Sequence, residues 1–156
     1  MNSKQLRELV RETLEYLHPV IPYSKTAEEL LLMTIAHESQ NGEYLRQVNG
    51  VALGICQMEP RTHDDIWDNF LEYRRELSQM LYEINTCEID ELVWNLKYAI
   101  AMCRVHYYRV PEALPSAQGE VENLILLSKY AKKYYNTEAG KATAEKYYKD
   151  YRRYYG

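Results

Sequence analysis

Apolar residues recur every three to four positions through most of this chain. Leu6, Leu9, Val10, Thr13, Leu14 and Leu17 share one helical face, so the spacing predicts an amphipathic helix over residues 3 to 17. The run from His18 to Pro22 ends it, because proline disfavours helical backbone in the residue before it. A second helix is predicted from near Lys25 or Ala27 to Glu38. Thr26 and Glu29 stand at capping-box spacing there, and Leu30, Leu31, Met33 and Thr34 form the apolar side. Asn41-Gly42 breaks it. Residues 42 to 60 lose the helical period. Within them Val48-Asn49-Gly50-Val51 favours a tight turn, which predicts a small β-hairpin around residues 45 to 55.

Thr62 with Asp65 reads as the next N-cap, and Asp64 and Asp65 suit a helix's first turn. The third helix runs through Ile66, Trp67, Phe70 and Leu71 and continues through Leu77, Met80 and Leu81, with a break near Tyr73. Asn85 to Glu88 reads as a turn. Residues 88 to 109 then carry the most apolar helix, through Leu92, Val93, Leu96, Ile100, Cys103 and Tyr107, which is expected at the centre of the core. Val110 to Pro115 is a loop. A helix over 119 to 135 turns Val121, Leu124, Ile125, Leu127 and Ser128 inward; residues 136 to 140 interrupt it, and a last helix spans about 143 to 155. No repeat or low-complexity linker intervenes. The pattern predicts a mainly α fold in a single domain, residues 1 to 156.

Composition changes this picture in a few places. With 156 residues, 46% of them apolar, the chain can bury one core, and disorder is excluded. Sixteen tyrosines stand against one phenylalanine, so many rings are expected half-buried or lining a groove. The net charge of −4 gives no general pull toward nucleic acid. Residues 129 to 156 nevertheless carry eight Lys or Arg against three acids. That basic end suits either an anionic partner or an ordinary solvated face. Cys56, Cys87 and Cys103 lack Cys-x-x-Cys spacing and read as small buried residues of a protein made in a reducing cytosol. The N-terminus has no apolar signal region, and no run approaches the roughly 18 residues that span a membrane. A chain of this kind is expected to be made in a cytoplasm, and a target outside the cell would require another means of delivery.

The chemistry concentrates between His37 and Thr62. The apolar run Leu30 to Ala36 ends by presenting one carboxyl, Glu38, to a loop rich in glycine and amides. Burial disfavours the charged form of such a group, so it can hold a proton near neutral pH and serve as a general acid. Glycosidic bond cleavage needs that acid. On spacing alone, a helix-terminal glutamate that merely accepts hydrogen bonds is the better reading.

Glu38-Ser39, then Gly50-x-x-x-Gly54-x-x-Gln57, then Pro60-x-Thr62, resembles the lytic transglycosylase and goose-type lysozyme group, and in particular its small bacteriophage members. Tyr134-Tyr135-Asn136-Thr137 resembles the Tyr-Asn segment near the end of that domain. The resemblance implies a lysozyme-like domain that cleaves the bond between N-acetylmuramic acid and N-acetylglucosamine, with Glu38 as acid and then base. It implies substrate contacts from Ser39, Gly54, Gln57 and Tyr135, with the Tyr135 hydroxyl reaching Glu38. Glu59 stands where goose-type enzymes carry a second acid, and His63 where they tend to carry histidine. Glu59 would position a water for hydrolysis; without that role a muramic acid hydroxyl attacks and leaves a 1,6-anhydro product. Each residue also has a plainer reading: Ser39 as a hydroxyl bonding back to its helix, Gly50 and Gly54 as turn residues, Gln57 as a structural amide, Glu59 as an idle loop acid and Asn136 as a helix cap.

His37 beside Glu38 lacks the second histidine of a zinc-protease motif, since position 41 is Asn, so no metal or cofactor is implied. The expected partner is the peptidoglycan glycan strand, together with other virion proteins if the chain is carried in a particle. Two other readings stay open: a non-catalytic virion component that kept the fold and binds wall or a partner protein, and a plain helical interaction module.

Overall fold

The helical period is realised in eight α-helices and one turn of 3-10 helix, seen in a computed structural model that describes residues 1–85, 88–136 and 141–156. They are α1 (Ser3–Leu17), α2 (Lys25–Glu38), α3 (Pro60–Asn69), the 3-10 turn (Leu71–Tyr73), α4 (Arg75–Tyr82), α5 (Glu91–Trp94), α6 (Leu96–Tyr108), α7 (Glu120–Tyr134) and α8 (Ala144–Tyr155). The expected turn at Thr86 and Cys87, the burial of Cys87, Thr137 of the Tyr-Asn block and the interruption at 137–140 lie outside the described residues. Cys56 and Cys103 are buried free thiols. Among the described residues no helix is long and apolar enough to cross a membrane.

Helix α2 organises the fold. Every residue from Ala27 to Ala36 is buried, because α1, α6, α7 and α8 all pack on it. The apolar side expected of it is therefore wrapped all round, and α2 shares the centre with α6, which buries Tyr98 through Val105 and Tyr107. The single helix expected over 88–109 is two. Asn95 leaves helical geometry between α5 and α6, and its side chain accepts from the Tyr98 amide to cap α6. The cap of α2 is Ser24 rather than Thr26, its hydroxyl accepting from the Ala27 amide. Helix α3 starts three residues before the expected point: Pro60 takes its first position, where a missing N–H costs nothing, and Thr62 lies inside it. Val121 and Ile125 of α7 are exposed, since this helix packs through Leu124, Leu127, Ser128, Tyr130 and Ala131.

Two features place the C-terminal end of α2. Gln40, Asn41 and Gly42 all take left-handed backbone, which turns the chain sharply away. The buried Asn41 then ties both termini to that turn, donating to Ser3 Oγ at 3.1 Å and accepting from the Tyr155 hydroxyl at 2.8 Å. Beyond it, the expected hairpin is reduced to two isolated antiparallel bridges, Arg46 with Leu53 and Leu53 with Met58. The Asn49-Gly50 turn spans four residues, closed by the Gln47 amide donating to the Ala52 carbonyl at 3.0 Å. This three-pass segment forms a wall opposite the end of α2.

Candidate active site

Glu38 closes α2 at the edge of a cleft of about 340 Å³, lined also by Gln57, Glu59, Thr62, His106, Tyr135 and Asn136. Its side chain is 18% exposed. Burial raises its pKa from 4.5 to about 7, while a hydrogen bond from the Tyr147 hydroxyl, 2.9 Å from Oε2, pulls the other way. The position at the C-terminus of a helix also disfavours an anion there. Among the described residues, Oε1 has no protein partner. The side chain thus carries a proton near neutral pH, with one oxygen steadied and the other unengaged.

The other expected residues divide. Gln57 lines the cleft in left-handed backbone, and its Nε2 donates to the Gly54 carbonyl at 2.8 Å, so it holds the loop as well as facing the hollow. Glu59 lines the cleft in the open, 47% exposed, with Arg61 Nη2 3.8 Å away. Tyr135 lines it too, but its hydroxyl donates to the Cys56 carbonyl at 2.6 Å. The phenol on Glu38 is Tyr147 of α8, so the expected Tyr135 contact is corrected.

Ser39 does not line the cleft. It is fully buried, donating to the Ile35 carbonyl at 3.1 Å and accepting from the Gly42 amide at 2.9 Å, the back-bonding role of a helix-terminal hydroxyl. Nor does Gly54: its φ is +82°, and a Cβ there would sit 2.0 Å from the Leu92 carbonyl oxygen. Glycine is required at 54 by the approach of α5.

Sequence reasoning missed Tyr147 and His106. Tyr147 is one of many tyrosines, and only its i, i+3, i+4 spacing with Asp150 and Tyr151 marks it as inward. His106 Nε2 donates to the Tyr134 carbonyl at 2.9 Å, which leaves Nδ1 a buried acceptor without a partner among the described residues. Burial lowers its pKa to about 4, so it adds no charge to the cleft at neutral pH. His63 faces elsewhere. The Tyr98 hydroxyl, which accepts from Trp67 Nε1 at 2.8 Å, donates to His63 Nε2 at 2.6 Å.

A larger hollow of about 440 Å³ lies beside His63, Asp64, Trp67 and Tyr82. It shares no lining residue with the Glu38 cleft, and its three carboxyls, Asp64, Asp68 and Glu72, are all exposed. Size does not decide here; the shielded acid does. Among the described residues no three His, Cys, Asp or Glu side chains gather as a metal site. No known family, curated protein or solved structure matches the chain.

Proposed function

We propose that this protein is a peptidoglycan-cleaving glycosidase with a lysozyme-like domain, phage-borne, and that Glu38 is its acid and then its base. The observation that carries the reading is a carboxyl with a pKa of about 7 at the wall of a cleft, on the residue that the Glu-Ser and Gly-x-x-Gln blocks single out. Protonated Glu38 donates to the glycosidic oxygen as that bond breaks, and the departing sugar leaves with the proton. The carboxylate so formed then accepts a proton from the incoming oxygen, which restores the acid. That oxygen belongs to water in a lysozyme and to a muramic acid hydroxyl in a lytic transglycosylase. Gln57 and Asn136 offer amides to the sugar's acetamido groups, and Tyr135 lines the cleft beside them. The protein reaches the wall from the cytoplasm in which it is made, or within a virion.

Glu59 decides between the two outcomes. It faces the same cleft and is open to solvent, as a group that orients water must be. The test is digestion of purified peptidoglycan by the wild type and by Glu38→Gln, with soluble products weighed by mass spectrometry. Products lost in Glu38→Gln are expected. Anhydro-muropeptides identify a lytic transglycosylase; products one water heavier identify a lysozyme and give Glu59 its role. No product from the wild type overturns the enzyme reading in favour of a non-catalytic wall- or partner-binding virion component.

A further inference from the structure

His37, the neighbour of Glu38, points away from the cleft into α8. Its Nδ1 lies 2.8 Å from Asp150 Oδ2, and the other Asp150 oxygen accepts from Lys146 Nζ at 2.6 Å. The imidazole packs on Tyr147, ring centroids 3.9 Å apart and tilted 33°. Its Nε2 stands 4.0 Å from Glu38 Oε2, the same oxygen that Tyr147 holds. A carboxylate can only accept, so Asp150 requires the imidazole proton on Nδ1. In the neutral ring Nε2 then bears a lone pair.

We propose that Asp150 and His37 form a tautomer lock on Glu38: Asp150 claims the imidazole proton at Nδ1, so His37 turns a bare Nε2 toward the acid and gives its carboxylate form no donor. The inference rests on the reading of Glu38 as the acid, and it makes His37 and Asp150 positioning residues. The groups facing His37 are Glu38 on its own helix, Lys146, Tyr147 and Asp150 on α8, and Lys132 on α7. Burial lowers the His37 pKa despite Asp150, and Lys146 and Lys132 lower it further, so the ring is neutral at pH 7. At lower pH the imidazolium places a positive charge 4.0 Å from Glu38 Oε2 and favours its carboxylate, which removes the acid.

Asp150→Asn tests the lock by its hydrogen-bond polarity. An amide NH2 would repel the Lys146 ammonium, which sits 2.6 Å from Oδ1, so the amide oxygen is favoured there and the amide NH2 faces His37 Nδ1. The imidazole proton must then move to Nε2, 4.0 Å from Glu38 Oε2, where the positive end of the N–H bond favours the carboxylate. Nitrogen-15 correlation spectra should show wild-type His37 protonated at Nδ1 alone near pH 7, and at Nε2 in Asp150→Asn. Carbon-13 titration should show the Glu38 midpoint falling by about one pH unit or more in Asp150→Asn. His37→Phe, with neither donor nor lone pair, should keep the midpoint within about half a unit of wild type. A wild-type His37 protonated at Nε2, or an unchanged Glu38 midpoint in a folded Asp150→Asn, overturns the proposal. If Asp150→Asn fails to fold, the wild-type tautomer alone decides. These spectra need no substrate, so the lock and the glycosidase reading can fail separately.

Discussion

Helix α2 carries a buried carboxyl at one end and a half-buried one at the other, and the two ends treat them in opposite ways. Glu28, in the first turn, is fully buried. It accepts from Arg7 Nη1 and Arg11 Nε at 2.8 Å each, and from the Tyr23 hydroxyl at 2.9 Å. Burial pushes its pKa up, but the bonds from Arg11, Tyr23 and Arg7 outweigh it and hold the group below the usual carboxylate range. Glu38, in the last turn, has one neutral donor and no cation bonded to it, so burial wins and the pKa rises to about 7. Helix polarity favours the anion at the first site and disfavours it at the second. Burial alone therefore does not make an acid; burial without cationic partners does. The first carboxyl stitches α1 to α2, and the second is left holding a proton near neutral pH.

The contrast predicts opposite responses to substitution. Glu28→Ala removes the partner of two guanidinium groups and should destabilise the fold by about 4 kcal/mol at pH 7, read by urea unfolding. Its stabilising contribution is present above pH 4.5 and is lost as pH falls below that value toward the lowered folded pKa, because the unfolded chain takes up a proton there that the folded group still refuses. Glu38 has the opposite sign. The native state binds the extra proton between pH 4.5 and about 7, so its contribution falls as pH rises through that window and is flat above it. Glu38→Gln should therefore raise stability at pH 8 by up to about 3 kcal/mol and change little at pH 4. Equal effects of pH on the two variants would break the comparison.

Smaller changes sharpen it. Tyr147→Phe removes the donor that favours ionised Glu38 and should raise the Glu38 midpoint by up to about one pH unit, seen in a carboxyl titration. Glu59→Gln should change stability by less than about 0.5 kcal/mol, because its nearest charge is a wholly exposed Arg61 3.8 Å away. Its effect should appear only in the ratio of hydrated to anhydro products.

The helices were legible because most bury one stripe, and periodicity reports a stripe directly. The pattern placed α1, α4 and α8 and the break near Tyr73 for that reason. It placed α2 from Lys25 to Glu38 but gave it one apolar side, because a helix covered on all sides, with Glu28 and Glu29 inside, has no stripe to read. In α7 the inward arc was drawn too far toward Val121 and Ile125, and the true face is set by where α2 and α8 lie. Thr26 and Thr62 had cap spacing, but Ser24 and Pro60 stood nearer the points where the chain leaves extended backbone. At the site, Glu38 and Gln57 were visible as local motif residues. Tyr147, His106 and the His37–Asp150 pair were not, since each depends on α6, α7 or α8 meeting α2 across more than sixty residues of chain.

The most direct test is a carbon-13 titration of every glutamate carboxyl in the folded protein, with Glu28→Gln and Glu38→Gln used to assign two of them. The account predicts one carboxyl titrating near pH 7 that vanishes in Glu38→Gln, and another titrating below 4.5 that vanishes in Glu28→Gln. A Glu38 carboxyl that titrates at or below 4.5 would contradict it, leaving the cleft without an acid.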